Sequence, residues 1–186
     1  MLVLVIGDFH IPHRSHNIPL KFRKLLVPNK MQHVICTGNL CTKETLDYLK
    51  SLASDVHVVR GDFDDFSANY PDTKVITVGQ FRIGLCHGHQ IIPWGDHKRI
   101  DLLARQLDVD VMVTGNSYEC KTFQMEDRFF VCPGSATGAF SPIKRDVIPS
   151  FALLDVQGGN IVTYIYRLVD DQVKVERVQF VKPSKN

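Results

Sequence analysis

The chain predicts an α/β sandwich: two packed sheets flanked by helices. Three observations carry that reading. From Met1 to Arg60, short β-branched runs alternate with segments of helical period, the order that gives parallel strands joined by crossover helices. From Lys74 onward strand patterns dominate, separated by compact turn signals. A length of 186 residues, 44% hydrophobic and 23% charged, suits one domain spanning 1–186 with a full core, and no repeat, linker or low-complexity stretch divides it.

Taken in order, Met1–Gly7 reads as a buried strand. Ile18–Val27 has helical spacing at Ile18, Phe22, Leu25 and Leu26 and stops at Pro28-Asn29. His33–Thr37 is a second buried strand, and Thr42–Leu52 a helix capped by Thr42 with Leu46 and Leu49 on one face. Asp55–Arg60 is a third strand. Lys74–Val78 and Phe81–Cys86 form a hairpin through Gly79-Gln80. A helix at His97–Leu107 and a strand at Val109–Thr114 follow, then a hairpin of Lys121–Glu126 and Arg128–Cys132. Three closing strands are predicted at Ser150–Val156, Asn160–Leu168 and Gln172–Val181.

A net charge of +2 gives no case for nucleic acid or an anionic membrane surface, and Lys21, Arg23 and Lys24 read as the solvated face of a helix. The five cysteines show no CxxC spacing, and Cys36, Cys86 and Cys132 lie in apolar runs, which suits reduced thiols and the cytosol. The first apolar run is broken by Asp8, too early for a signal peptide, and nothing approaches the ~20 apolar residues of a membrane span. Direct membrane insertion is therefore not expected.

Chemistry concentrates where strands end. Asp8 and His10 follow the first strand, Asn39 the second and Asp62 the third, each of Asp8, Asn39 and Asp62 directly after a glycine. In parallel sheets, sites form at the carboxyl ends of strands. His87, in His87-Gly88-His89, and Asn116, in Gly115-Asn116-Ser117-Tyr118, end two further strands. Asp8 and His10 provide one corner of a metal-capable pocket, Asp62 and His87 the other. His13, His16, His33, His57, His89 and His97 read as structural or solvated, and Gly134 and Ser135 as a turn beside the pocket.

These motifs resemble the calcineurin-like metallophosphoesterase superfamily across almost the whole chain. The closer resemblance is to the vacuolar protein sorting-associated protein 29 family, the small subunit of the retromer coat. It is carried by Gly7 to Arg14, Cys36 to Glu44, Val59 to Asp64, His87 to Asp96, Pro133 to Ala139 and Asp171 to Arg177. The resemblance implies a metallophosphoesterase-like sandwich and a scaffold role in endosome-to-Golgi retrieval. It further implies a cytoplasmic location, peripheral on endosomes.

The departures weigh against chemistry. Active phosphoesterases bridge two cations with an Asp where this chain has Asn39, and a neutral amide supplies no charge to offset them. Phe63 stands where they have a proton donor, and Asn116 and Tyr118 where they have histidines. The remaining set of Asp8, His10, Asn39, Asp62, His87 and Asn116 implies no required cofactor and at most one weakly held divalent ion, zinc or manganese. The alternatives are an active metal-dependent phosphodiesterase or protein phosphatase, and a metal-sensing binding module.

Two surfaces are expected for partners. Along the penultimate strand, Val162, Tyr164, Tyr166 and Leu168 face one way and Ile161, Thr163, Ile165 and Arg167 the other, so the strand is either covered on both faces or exposes a docking patch. The resemblance implies regulators bound on Ile92, Leu153, Tyr164, Tyr166 and Val175. It implies that the large α-solenoid retromer subunit, vacuolar protein sorting-associated protein 35, meets the pocket side through His10–Arg14, Asn39–Thr42 and Phe63–Phe66.

Overall fold

Along β1 (Leu2–Ile6), Val3 and Val5 face one way and Leu4 and Ile6 the other, and all four are fully buried. A strand apolar on both sides needs cover on both, and that requirement sets the layers. The computed structural model describes residues 1–183 and meets it with two mixed sheets packed face to face and helices outside. The side chain of Phe66 also lies outside the described set.

In the first sheet β1 runs parallel to β2 (His33–Cys36), which runs parallel to β3 (Asp55–Val58). On its other side β1 pairs antiparallel with β9 (Ser150–Gln157), followed by β10 (Asn160–Val169) and β11 (Gln172–Val181). The second sheet has β5 (Phe81–Cys86), β6 (Val111–Thr114) and β8 (Arg128–Pro133) in parallel, with β4 (Thr73–Val78) and β7 (Cys120–Met125) antiparallel at its edges. Between the sheets Val5, Ile35 and Leu154 meet Leu85, Val113 and Val131. Leu4, Ile6 and Val34 are covered outside by Phe22 of α1 (Leu20–Leu25) and by Leu49 and Leu52 of α2 (Lys43–Leu52). The second sheet is covered by Ile100 and Ala104 of α3 (His97–Gln106).

Every expected element is present, and the differences lie at ends. α1 is shorter than Ile18–Val27 because Pro19 is its N-cap and Leu26 leaves helical geometry at ψ 81. β3 stops at Val58 because the backbone N–H of Arg60 turns to the carbonyl of Pro71. β6 begins at Val111 because Val109 donates to Ala104, closing the end of α3. A single 3-10 turn at Phe66–Ala68 was not foreseen.

β10 lies between the edge strand β11 and β9, and its two faces differ. Ile161, Thr163 and Ile165 are buried between the sheets, while Val162, Tyr164, Tyr166 and Leu168 remain partly exposed. Among the described residues no helix is long and apolar enough to cross a membrane.

Candidate functional site

The carboxyl ends of β1, β2, β3, β5 and β6 converge, and together they deliver six polar residues just beyond the strands. β1 delivers Asp8 and His10, β2 Asn39, β3 Asp62, β5 His87 and β6 Asn116. The structure therefore brings together all six residues expected to form the pocket. Asp8, His10, Asn39 and His87 have no solvent exposure.

The backbone there is held in the left-handed region. Asp8, His10, Asn39, Asn116 and Tyr118 have φ of 50, 49, 56, 62 and 53. Such values are uncommon for residues with a Cβ and collect at functional sites. Gly38 enables the turn before Asn39: its φ is 100, and a Cβ there would lie 2.5 Å from the backbone nitrogen of Gly61.

Asn39 occupies the centre. Its Oδ1 accepts from the Phe63 N–H at 2.9 Å, which fixes the amide orientation. Its Nδ2 then faces inward, 3.1 Å from Asp8 Oδ1, 3.0 Å from Asp62 Oδ1, 3.3 Å from His10 Nε2 and 3.2 Å from His87 Nε2. A donor group points at the place where a bridging carboxylate would offer an acceptor to two cations. The two hydrogens of the amide satisfy two of these four neighbours.

His87 and Asp62 form the acidic corner. His87 Nδ1 donates to the Thr37 carbonyl at 2.6 Å, which turns Nε2 toward Asp62 Oδ1 at 3.2 Å. That arrangement prepares an imidazole for a metal. Burial depresses the His87 pKa, but Asp8 and the Asp62 contact outweigh it and raise it. Burial likewise opposes ionisation of Asp62, yet bonds from His87 and Asn39 hold its carboxyl below the usual range. For Asp8, burial prevails and raises the pKa, although His87, the Asn116 N–H and Asn39 all act against it.

The other corner is closed. Tyr118 Oη lies 2.8 Å from His10 Nε2, with the two rings stacked at 5.8 Å. Burial, aided by Arg14, lowers the His10 pKa to about 4. Arg14 donates to Tyr118 Oη and to the Phe140 carbonyl, and its guanidinium lies 4.3 Å from the Phe63 ring centre. Phe63 meets His10 edge to face.

Asp62, His87 and His89 each offer a ligand atom within 4.8 Å of the others, a set that can hold a divalent ion, whereas Nε2 of His10 is engaged by Tyr118. His89, which reads from the sequence as structural or solvated, joins this group because it lies two residues after His87, beyond the strand. Asp64 was also missed. Its buried carboxylate accepts from the backbone N–H groups of Asn39, Gly61 and Cys41 and so fixes two of the strand-end turns. Ser135 has the expected local role: its hydroxyl donates to the Asp8 carbonyl and accepts from Ala139.

The five residues expected to form one apolar patch fall into two places. Leu153, Tyr164, Tyr166 and Val175 lie on adjoining strands of the first sheet, with Tyr164 opposite Leu153 and Tyr166 opposite Val175. Ile92 is exposed on the loop that leaves the second sheet through His87, where it lines a cavity with Arg99 and Leu102. Grouping Ile92 with the other four is corrected on that ground: its loop belongs to the strand-end face.

Comparison with known proteins gives a consistent picture. The calcineurin-like phosphoesterase superfamily domain matches residues 1–159. Vacuolar protein sorting-associated protein 29 of Schizosaccharomyces pombe is 43% identical over 188 residues, which is 99% of this chain and 100% of that one. The structure of Vps29 from Entamoeba histolytica complexed with zinc is 51% identical and superposes with a TM-score of 0.91, covering 96% of this chain and 99% of its own. Vps29 of Chaetomium thermophilum, solved with a cyclic peptide, is 42% identical with a TM-score of 0.85, covering 99% of this chain and 98% of its own.

Proposed function

The chain belongs to the vacuolar protein sorting-associated protein 29 family of the calcineurin-like phosphoesterase superfamily, and from that premise we propose that it is a non-catalytic scaffold subunit of retromer. In this reading it serves endosome-to-Golgi transport in the cytoplasm and reaches endosome membranes only through its complex. The observation that carries the loss of catalysis is the inward-facing amide of Asn39. It places a hydrogen-bond donor where two-metal hydrolysis needs an anionic bridge.

The large α-solenoid subunit, vacuolar protein sorting-associated protein 35, docks on the strand-end face. Support comes from the loops around the pocket: Phe63, Ile92, Trp94, Phe140 and Ile143 are all half exposed or more. Exposed apolar clusters of this kind mark interaction sites. Regulators bind the outer face of β9, β10 and β11 through Leu153, Tyr164, Tyr166 and Val175. There the aromatic side chains supply anchors of the type that dominate interfaces. One divalent ion, zinc or manganese, is held weakly on Asp62 and His87 with Asp8 or His89, and the scaffold role does not require it.

The test is a pair of substitutions in the full chain, read by calorimetry and co-purification. Ile92→Asp places a charge on the strand-end face and should weaken binding of the large subunit by at least ~100-fold. Tyr166→Asp should leave that complex intact and remove regulators. Both partners binding both variants unchanged would overturn the two-surface reading.

A further inference from the structure

β2 and β3, at one margin of the first sheet, each begin with a polar residue. His33 opens β2 and Asp55 opens β3, and the parallel register sets His33 beside Asp55 and Ile35 beside His57. Side chains alternate along a strand, so His33, Asp55 and His57 share the face that Ile35 and Val59 present to the second sheet. They sit at the amino ends of these strands. The strand-end pocket lies at the opposite ends, ~10 Å away along a strand of this length.

The three side chains converge on one point. His33 Nδ1 lies 2.6 Å from Asp55 Oδ2, and His57 Nε2 lies 3.0 Å from the same oxygen. The imidazole rings are nearly parallel, at 24°, with centres 6.2 Å apart. One nitrogen from each ring and one carboxylate oxygen all lie within 4.8 Å of one another. The side chains of His33 and His57 are only 20% and 13% exposed, while that of Asp55 is 48% exposed and free to adjust.

We propose that His33, Asp55 and His57 form a second divalent-metal site, separate from the strand-end pocket and suited to zinc. Two imidazoles and a carboxylate favour a late first-row divalent cation over magnesium or calcium. Zinc bonds of ~2.0–2.2 Å place tetrahedral ligand atoms ~3.3 Å apart. The two separations from Asp55 Oδ2, 2.6 and 3.0 Å, open by about 0.7 and 0.3 Å to reach that spacing, a movement within the reach of the exposed Asp55 side chain. Three protein ligands leave the fourth position to water.

Burial holds the His57 pKa below its ordinary value against the pull of Asp55, and Lys74 and His33 act in the same direction as burial. Lys74 also opposes the cation, so affinity should fall short of a four-ligand structural site. Bound zinc ties the edge strand β3 to β2 and stabilises the exposed margin of the first sheet. This site does not depend on the scaffold reading.

The experiment uses the full chain carrying His87→Ala, which weakens the strand-end pocket. Zinc calorimetry should show one ion bound, and cobalt should give visible bands of four-coordinate geometry. Adding His33→Gln or His57→Gln should lower zinc affinity more than ~10-fold and remove the cobalt bands. In the unaltered chain, which guards against folding defects, cobalt should broaden the imidazole proton signals of both His33 and His57. Zinc affinity unchanged by either Gln substitution would overturn the site, leaving only a hydrogen-bonded triad. So would His33 and His57 signals unmoved by saturating cobalt.

Discussion

The phenolic oxygen of Tyr118 rests 2.8 Å from Nε2 of His10, on the one imidazole nitrogen that faces the pocket. A ligand atom that His10 would offer to a cation is thus engaged by a side chain of the same chain. Arg14 adds a second contact to that hydroxyl at 3.3 Å and brings positive charge to the same corner.

Tyr118→His should therefore reopen the corner. It removes the hydroxyl, releases His10 Nε2 and supplies a further imidazole. Zinc affinity, measured by calorimetry, should rise at least ~10-fold, with a second ion becoming measurable. An unchanged isotherm would show that Tyr118 does not limit metal binding.

Asn39→Asp should have opposite effects with and without metal. In the metal-free chain it sets a third carboxylate against Asp8 and Asp62 and removes the amide donors that now serve them. Burying like charges without partners is costly, and the melting temperature in chelator should fall by roughly 5 °C or more. Excess manganese or zinc should recover most of that loss, because the new carboxylate is the bridge two cations need. A metal-free melting temperature equal to that of the parent would contradict the central role given to the Asn39 amide.

Acid sensitivity should trace in part to His10. Its pKa falls from near 6.5 in the unfolded chain to about 4 in the fold, because burial and Arg14 disfavour the charged ring. The folded state thus binds fewer protons between these values. The contribution is fully present above pH 6.5 and is lost as pH falls toward 4, on the order of 2–3 kcal/mol. His57 and His89, also lowered by burial, act in the same direction, whereas the raised Asp8 acts oppositely. Denaturant melts of parent and His10→Asn in chelator isolate the difference. The parent should lose stability faster between pH 6.5 and 4; parallel curves would remove His10 from the account.

Periodicity made the layers legible because it reports burial directly. Val3 and Val5 against Leu4 and Ile6 announced a strand covered on both faces, and the two sheets follow from that. Asp8, Asn39, Asp62 and Asn116 were legible because each directly follows a glycine at a strand end. What escaped was set by backbone hydrogen bonds and by partners distant in sequence. β3 ends at Val58 because Arg60 bonds to Pro71, which no local pattern encodes. Asp64 carries no local signal of its role, and only the fold shows its carboxylate collecting three backbone N–H groups. The resemblance groups Ile92 with Tyr166, but Ile92 lies on the loop between β5 and α3 and Tyr166 on β10 of the other sheet. His33 and His57 read only as structural or solvated, because their meeting with Asp55 depends on the register between β2 and β3.

The central claim is that this strand-end centre docks partners and performs no hydrolysis. It is tested most directly by incubating the purified chain with a bis-aryl phosphate and saturating manganese or zinc. The amide at Asn39 and the closed His10 corner predict turnover no greater than that of metal alone. Turnover above that control, abolished by Asp8→Ala in a chain that remains folded, would contradict it.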